Sequence, residues 1–235
     1  MEERLIKNLK PNIVILTSRT WNEWIAFDEK VLAVANPILI RAREDFNLST
    51  LNEISPDFIF VPHWSFLIPA EIHDRYKTII FHMTDLPYGR GGSPLQNLIS
   101  AGHKRTKITA IQCVKGMDAG PVYLKEDLDL FGSAEEIFIR ASKIIHSMIL
   151  TILEEELKPI PQIGEVTIFS RRKPEQSDLN SIKDFSEDQV YDFIRMLDAP
   201  GYPRAYVRLG GYKIEFSKVF RTEDGLQGIF NIKKA

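Results

Sequence analysis

Cysteine, long apolar stretches and an excess of one charge sign are what this chain of 235 residues has little of. Its single cysteine, Cys113, excludes an intramolecular disulfide and a metal site built from cysteines. No apolar run approaches the roughly 20 residues that span a bilayer, and the charged segment 1–10 lacks the apolar stretch of a signal peptide. We therefore expect a soluble, cytoplasmic protein without a membrane partner.

Basic residues do not outnumber acidic ones. The formal net charge is −2, and both signs are interspersed among the 26% of residues that are charged. A dedicated nucleic-acid binder usually carries a basic surplus or stripe. The five histidines are scattered, without the spacing of a metal-binding pair. The composition thus predicts a small-molecule partner, and neither nucleic acid nor a resident metal.

Short apolar runs alternate with segments of helical pattern, as is typical of βαβ crossovers. The runs with the continuous apolar character of buried parallel strands are 12–17, 37–40, 58–61, 78–81 and 108–114. Helices are predicted within 21–34 and 69–76, from Ser93 to Gly102, and from a capping box at Ser133 and Glu136 to a point before Pro159. This order predicts an α/β fold with a doubly wound, mostly parallel, Rossmann-like sheet.

The pattern changes near residue 175, where we expect a boundary between a domain at 1–175 and a small subdomain at 176–235. Ser186 and Gln189 repeat the helix-capping pattern. Gly210-Gly211 between two extended segments predicts a β-hairpin, and a further strand is expected near 229–232. The C-terminal part is therefore predicted to be a helix with a hairpin, whose exposed strands are a candidate surface for a homodimer.

Two polar residues fall where predicted strands end. His82 follows the run 78–81, and Asp118 lies in the turn after 108–114. Open α/β sheets bind ligands beyond the carboxyl ends of their strands. A histidine that titrates near neutral pH suits proton transfer, and a neighbouring carboxylate can orient it and favour its protonated form. Without further signals, however, such residues are more often bystanders than catalysts.

The residues around this pair make the interpretation more specific. Residues 82–91 (HMTDLPYGRG), then Pro94, Gly102 and Thr106, and then 117–120 (MDAG) resemble the 10-formyltetrahydrofolate-dependent formyltransferase family. The hallmark of that family is Asn-x-His-x-Ser-Leu-Leu-Pro, an Arg/Lys-Gly step, a helix, and a strand followed by an Asp-x-Gly turn. The resemblance to its methionyl-tRNA formyltransferase-like catalytic domain covers residues 58–125 well and 1–57 loosely.

The resemblance implies an acyl transfer in which an amine attacks the formyl carbon of the co-substrate 10-formyltetrahydrofolate. It assigns His82 and Asp118 to catalysis, with Thr84 at the position of the motif's serine. His82 would stabilise the oxyanion and pass the proton to the folate.

One donor that the family uses is missing. The asparagine that donates a hydrogen bond to the formyl oxygen is Ile80 in this chain. Losing one such donor typically costs about 2.7–4 kcal/mol of transition-state stabilisation. Thr84, His63 and Gln112 are the candidates to replace it.

The resemblance also implies a folate pocket and an acceptor site. The pterin would lie between the loop after the third strand and the loop that bears Asp118, where apolar side chains cover its faces and backbone groups meet its polar edge. The residues concerned are His63, Trp64, Ser65, Phe66, Leu67, Val114, Gly116 and Met117. Core packing explains Trp64 and Phe66 equally well.

Acceptor contacts are expected from the segment after His82. Asp85 either contacts an amine or ribose hydroxyl or is a turn residue ahead of Leu86-Pro87. Arg90 and Gly91 lie in a glycine-rich loop before a helix, which either holds a nucleotide phosphate or is purely structural.

The C-terminal part separates the branches of the family. Its small size and lack of a basic surplus argue against the tRNA-binding barrel of methionyl-tRNA formyltransferases, and its presence argues against a glycinamide-ribonucleotide transformylase. Residues 198–203 (DAPGYP) resemble the sugar N-formyltransferases. The leading expectation is therefore formyl transfer to the primary amine of a nucleotide-linked amino sugar in polysaccharide biosynthesis. A glycinamide-ribonucleotide-type transformylase, a formyltetrahydrofolate hydrolase and a catalytically silent folate-binding protein stay open as alternatives.

Overall fold

The computed structural model describes residues 10–183 and 185–234. Its first eight strands are β1 (Asn12–Thr17), β2 (Asn36–Ile40), β3 (Phe58–His63), β4 (Thr78–His82), β5 (Arg90–Gly91), β6 (Arg105–Gln112), β7 (Val122–Asp129) and β8 (Ile168–Phe169). Six of them form the main sheet in the order β2-β1-β3-β4-β6-β7, while β5 pairs with β8. The expectation that no signal peptide is present concerns residues 1–9 and lies outside the described residues.

The main sheet is mostly parallel, which confirms the predicted fold class. Strand β1 pairs in parallel with β2 and β3, and β3 pairs in parallel with β4. Apolar side chains on both faces of β1 and β3 are fully buried, as the continuous apolar runs predicted. Strand β6 differs from the prediction because it runs antiparallel to β4 and ends at Gln112.

Helices connect the strands. They are α1 (Glu29–Val34), α2 (Leu48–Ile54), α3 (Ala70–His73), α4 (Pro94–Ser100) and α5 (Ala134–Glu154), with a 3₁₀ segment at Thr20–Phe27. The capping box before α5 is confirmed, since Ser133 N–H donates to Glu136 Oε2 over 2.7 Å and Glu136 N–H donates to Ser133 Oγ over 3.3 Å. Helix α2, only seven residues long, was missed in the sequence.

The predicted capping role of Ser93 is wrong. Ser93 precedes α4, but its backbone is left-handed (φ 52°) and its side chain makes no capping hydrogen bond. Its hydroxyl oxygen instead accepts the N–H of Arg172 over 3.0 Å. A contact 79 residues away in sequence has replaced the local one.

Helix α5 is tied to the segment before α1 by a partly buried polar network. Trp24 Nε1–H donates to Ser142 Oγ over 2.9 Å, and Ser142 in turn donates to the carbonyl of Trp21 over 2.7 Å. One turn along α5, His146 Nε2 lies 2.8 Å from Asp28 Oδ1. Asp28 also caps α1 by accepting N–H groups of the first turn.

The C-terminal part contains α6 (Glu187–Arg195) and a sheet of β9 (Ala205–Leu209), β10 (Tyr212–Thr222) and β11 (Gly225–Lys234). The sheet is antiparallel in the order β11-β10-β9. Ser186 caps α6 by accepting the N–H of Gln189 over 3.3 Å. Gly210 and Gly211 both have positive φ, at 54° and 80°, as a two-residue hairpin turn requires. The predicted helix, hairpin and third strand are thus confirmed.

Two compact units interleave along the sequence. One comprises residues up to 90 with 107–126 and 141–167, and the other comprises 91–106, 127–140 and 168 onward. The domain boundary near residue 175 stays a prediction: the second unit contains all residues from 168 onward and, in addition, the two earlier segments. Composition along the chain cannot reveal such a division, since it registers only consecutive residues.

Within the described part of the chain, no helix is both long enough and apolar enough to cross a membrane.

Candidate active site

The structure brings His82 and Asp118 together. His82 is the last residue of β4 and is buried, and its Nδ1 lies 3.6 Å from Asp118 Oδ2. On the other side of the ring, Nε2 lies 2.8 Å from the carbonyl oxygen of Gly89. A carbonyl can only accept, so Nε2 carries a proton, and Nδ1 is the nitrogen that exchanges one. The atom that exchanges a proton therefore faces the carboxylate.

Asp118 reaches His82 by a route that differs from the predicted one. Strand β6 runs antiparallel to β4, so its end at Gln112 lies beside Ile79, near the start of β4. The chain must turn back to bring Asp118 to His82. Gly116 (φ 116°) and Asp118 itself (φ 50°) have left-handed backbone in this turn. For an aspartate this conformation is uncommon, and such residues cluster at functional sites.

Gln162 holds this turn in place. Its Nε2 donates to the carbonyls of Asp118 and Gly120, each over 2.8 Å. Its Oε1 accepts from Arg90 through Nε at 3.2 Å and Nη2 at 2.8 Å. Gly120 is required here, because a Cβ at this position would lie 1.7 Å from the carbonyl oxygen of Gln112. Sequence reasoning missed Gln162, and no pattern around it signals a role.

Arg90 therefore has a different environment from the one expected for an anion-binding residue. The guanidinium binds the side-chain oxygen of Gln162, and the backbone N–H of Arg90 donates to the carbonyl of Thr167 over 2.9 Å. Thr167 N–H in turn donates to the carbonyl of Pro87 over 3.3 Å. Gly91 follows as the buried second residue of β5. These contacts support the structural interpretation of this loop.

Thr84 and Asp85 are also engaged. The hydroxyl of buried Thr84 donates to the carbonyl of Gly89 over 3.3 Å, and the Thr84 carbonyl accepts from Thr109 Oγ1 over 2.6 Å. Asp85 is exposed and accepts from Lys125 Nζ over 2.5 Å. As a hydrogen-bond donor to substrate, Thr84 is thus disfavoured, because its one hydroxyl proton already points at Gly89.

The first segment of the predicted folate pocket is an aromatic surface. Trp64 packs edge-on against Phe66 with ring centroids 5.4 Å apart, and against Phe46 at 5.8 Å. Ser65 Oγ lies 3.1 Å from Ser18 Oγ. Leu67 and Phe66 are exposed. Trp64 Nε1 is buried, and among the described residues it has no hydrogen-bond partner.

The second predicted segment, 114–117, contains Val114, which is half-buried, and Gly116 and Met117, which are exposed. That the two segments enclose one ligand stays a prediction. Next to them, burial together with the carboxylates of Asp118 and Asp74 raises the pKa of the Cys113 thiol to about 11. Cys113 is therefore protonated at neutral pH, and it is not a nucleophile there.

The register of the sheet distinguishes the candidate replacements for the missing asparagine. Val61 pairs with Ile80 in the parallel ladder of β3 and β4. His63 is the last residue of β3 and His82 the last of β4, but His63 lies beyond this ladder and after a register shift in the pairing of β3 with β1. Gln112 pairs with Ile79, three residues before His82. Of the three candidates, His63 is thus the one at the carboxyl end of a parallel strand next to β4, the same end at which His82 lies.

Among the described residues, no group of three or more histidine, cysteine, aspartate or glutamate side chains is placed to hold a metal ion. The site is thus an acid–base pair at the end of a strand in a doubly wound sheet, braced by a glutamine and an arginine.

Comparison with known proteins gives the family. Residues 29–149 match the family described as "Formyl transferase", and residues 174–233 match "Methionyl-tRNA formyltransferase, C-terminal domain". A solved structure described as methionyl-tRNA formyltransferase from Clostridium thermocellum is 45% identical, with a TM-score of 0.92, and the match covers 96% of this chain and 100% of that one. The chain belongs to the formyltransferase family, whose members are one-carbon transferases that use 10-formyltetrahydrofolate.

The curated relatives are longer. Methionyl-tRNA formyltransferase of Rickettsia bellii is 31% identical over 151 residues, which cover 62% of this chain and 49% of the relative. This chain spans about half the length of the curated relatives that it matches, with 49% and 57% in two cases. A 4-N formyltransferase from Francisella tularensis has the same fold at 16% identity, with a TM-score of 0.64 and coverage of 94% of this chain and 96% of that one.

Proposed function

We propose that this chain transfers a formyl group from 10-formyltetrahydrofolate to a primary amine. The observation that carries the proposal is the apposition of His82 and Asp118, 3.6 Å apart in a family whose motif places its catalytic pair at these positions. The named alternatives, a folate hydrolase and a silent binder, would use the same residues, and the assay below separates them.

The residues of the predicted folate pocket fit a flat heteroaromatic ring. Trp64 offers a buried N–H with no partner among the described residues, and exposed Phe66, Leu67 and Met117 offer apolar surface. A pterin would need both, since its edge is polar and its faces are apolar. When bound, 10-formyltetrahydrofolate supplies the activated formyl group.

His82 has the proton-transfer role. Gly89 fixes the ring through Nε2, and Asp118 orients it from the other side, where its Oδ2 lies 3.6 Å from Nδ1. In the transfer the amine nitrogen bonds to the formyl carbon, and the bond from that carbon to N10 of the folate breaks. The protonated ring can stabilise the negative charge on the formyl oxygen, give its proton to N10 as tetrahydrofolate leaves, and take up the proton that the attacking amine loses. Asp118 keeps the ring oriented throughout.

His63 supplies the hydrogen bond that the family's asparagine would make. It follows the same strand-end geometry as His82 on the neighbouring strand, and its side chain replaces a donor that Ile80 cannot provide. The Thr84 hydroxyl already donates to the carbonyl of Gly89, and Gln112 lies beside Ile79, three residues before His82 on β4.

Two acceptors are supported by different observations. The main proposal is the amine of a small acceptor such as a nucleotide-linked amino sugar, because a net charge of −2 without a basic surplus disfavours a polyanion. The second is methionyl-tRNA, the substrate in the names of relatives that are 31% and 45% identical. In either case the attacking group is a neutral primary amine.

The test is an assay with formyl-labelled 10-formyltetrahydrofolate, with methionyl-tRNA or a panel of amino-sugar nucleotides as acceptors. Formylated acceptor with release of tetrahydrofolate is the expected result. His82→Asn and Asp118→Asn should each lower kcat by about 10²- to 10⁴-fold. His73→Asn is the matched control, since His73 also pairs with a carboxylate, Asp74, at 3.0 Å and should leave kcat unchanged.

Formate release that needs no acceptor would contradict transfer and identify a hydrolase. Tight folate binding without any turnover would identify a silent binder.

A further inference from the structure

Strand β11 has an open edge. It pairs with β10 on one side, and within the described residues no strand pairs with its other side. Ile229, Phe230 and Ile232 on this strand are 54%, 62% and 53% exposed. A long, apolar edge strand is a template for pairing, and monomeric proteins usually blunt such an edge with charges or proline.

The charges that could protect this edge are near its end and do not interrupt it. Lys233 turns back onto its own sheet, where its Nζ donates to Glu215 Oε2 over 2.6 Å. This bond and the one from Lys213 hold the pKa of Glu215 below its usual value, so the carboxylate stays charged and the lysines stay bound. Between Gly225 and Ile232 the strand contains neither a charge nor a proline.

We propose that β11 pairs antiparallel with β11 of a second copy of this chain, about a two-fold axis at Ile229. Such an interface uses the same surface on both chains, so the strand must be complementary to its own reverse. In this register Leu226 lies opposite the partner's Ile232, Gln227 lies opposite the partner's Asn231, and apolar residues meet apolar residues.

Opposite charges also lie across from each other in this register. Asp224, in the turn before β11, lies opposite the partner's Lys234, and the two-fold axis repeats this pair at the other end. Moving the axis by one residue in either direction would place Gln227 opposite the partner's Ile229 or Leu226 opposite the partner's Lys234. The sequence therefore selects one register out of three.

The packing on each face supports the same pairing. Side chains alternate along β11, so Leu226, Phe230 and Ile232 share one face. Gly228 lies opposite the partner's Phe230, where a glycine leaves room for an aromatic ring to cover the backbone. Cross-strand pairs of this kind stabilise antiparallel sheets. The result is a six-stranded antiparallel sheet that spans both chains.

A disulfide cross-link tests the register. Ile229→Cys places two thiols directly opposite each other on the axis, and mild oxidation should give a covalent dimer of twice the 27.0 kDa chain mass. Phe220→Cys is the control, because Phe220 is similarly exposed, at 53%, but lies on β10, one strand away from the edge. The native Cys113 is buried and should contribute little background.

Charge reversal tests the partner's identity. Asp224→Lys and Lys234→Asp should each weaken the dimer, measured by light scattering during size exclusion, because like charges then meet at both ends. An equimolar mixture of the two variants should restore a heterodimer, since opposite charges then meet at both ends. Circular dichroism of each variant checks that the sheet is intact.

A chain that stays monomeric at every concentration would overturn the proposal. So would an Ile229→Cys variant that cross-links no faster than Phe220→Cys, or charge-reversed variants that dimerise alone as well as together. None of these measurements depends on the proposed reaction.

Discussion

At the scale of single residues, Ile80 and His63 form a testable pair. They lie on neighbouring parallel strands, Ile80 two residues before His82 on β4 and His63 at the end of β3. If His63 donates to the formyl oxygen, His63→Ala should lower kcat by about 10²- to 10³-fold, the effect of removing one oxyanion donor. KM for the folate should change little, because the lost bond forms in the transition state.

The matched variant is Ile80→Asn, which restores the family's donor. In the His63→Ala background it should recover much of the lost kcat, although a polar group at this half-buried position, packed against buried apolar residues, will lower stability. A normal rate for His63→Ala alone would remove His63 from the mechanism.

Gln162 gives a second prediction at this scale. Gln162→Leu removes both donors to the 118–120 turn, and Gln162→Glu keeps an acceptor for Arg90 but also loses those donors. Both should lower kcat by roughly 10- to 100-fold, since a small displacement of a catalytic group is costly. Gln176→Leu is the control, because Gln176 also binds a backbone N–H, that of Lys173, and should leave kcat unaltered. Equal losses in kcat for all three variants would mean that only general packing is involved.

At the scale of secondary-structure elements, the Asp28 cap at the N-terminus of α1 contributes to the free energy of unfolding in a way that depends on pH. Burial alone would raise the pKa of Asp28, but hydrogen bonds from His146 and from the N–H groups of Lys30 and Val31 outweigh it and hold the pKa below 3.8. A carboxylate with a lowered pKa stabilises the fold above the unfolded-state pKa, and this contribution is lost as pH falls below 3.8.

The corresponding variant is Asp28→Ala. Loss of the cap should lower the free energy of unfolding by about 0.5–2 kcal/mol at pH 7, measured by urea titration. The difference from the wild type should shrink below pH 3.8. Asn47→Ala, at the cap of α2, removes a neutral cap whose effect should not vary with pH. A constant Asp28→Ala difference from pH 7 to pH 3 would contradict the assignment.

The strands and helices also show which features of the fold could be predicted from the sequence. Strands such as β1 and β3 and the long helix α5 were predictable, because apolar periodicity and capping residues act over a few neighbours. The antiparallel direction of β6 was not, because both directions bury the same apolar run. Ser93 was misassigned for a related reason, since its partner Arg172 is far along the chain.

For the candidate site, the sequence pointed to His82 and Asp118 but not to the residues that hold the Asp118 turn in place. His82 and Asp118 lie in recognisable motifs. Gln162 contacts the carbonyl of Asp118 only because the fold brings the two residues together. The role of Arg90 likewise depended on a contact 72 residues away. Long-range hydrogen bonds leave no local signature, which is why these residues could be placed only in three dimensions.

At the scale of the whole molecule, net charge makes a prediction about the acceptor. A polyanion releases counterions on binding, so log(kcat/KM) for a tRNA should fall steeply with log salt, by about 0.7–0.9 per phosphate contacted. For a small nucleotide sugar on a chain of net charge −2, kcat/KM should be nearly independent of salt between low and physiological concentrations. A steep decline with methionyl-tRNA as the better substrate would instead favour the second acceptor.

The bond between Arg90 and Gln162 has a consequence for biosynthesis. Every strand of the main sheet is synthesised before residue 162, yet the Asp118 turn gains its brace only from that residue. A nascent chain that ends within α5 would carry both residues of the acid–base pair without the group that fixes their separation. The proposed acid–base pair is therefore held in place by a residue that is added only after the last strand of the main sheet.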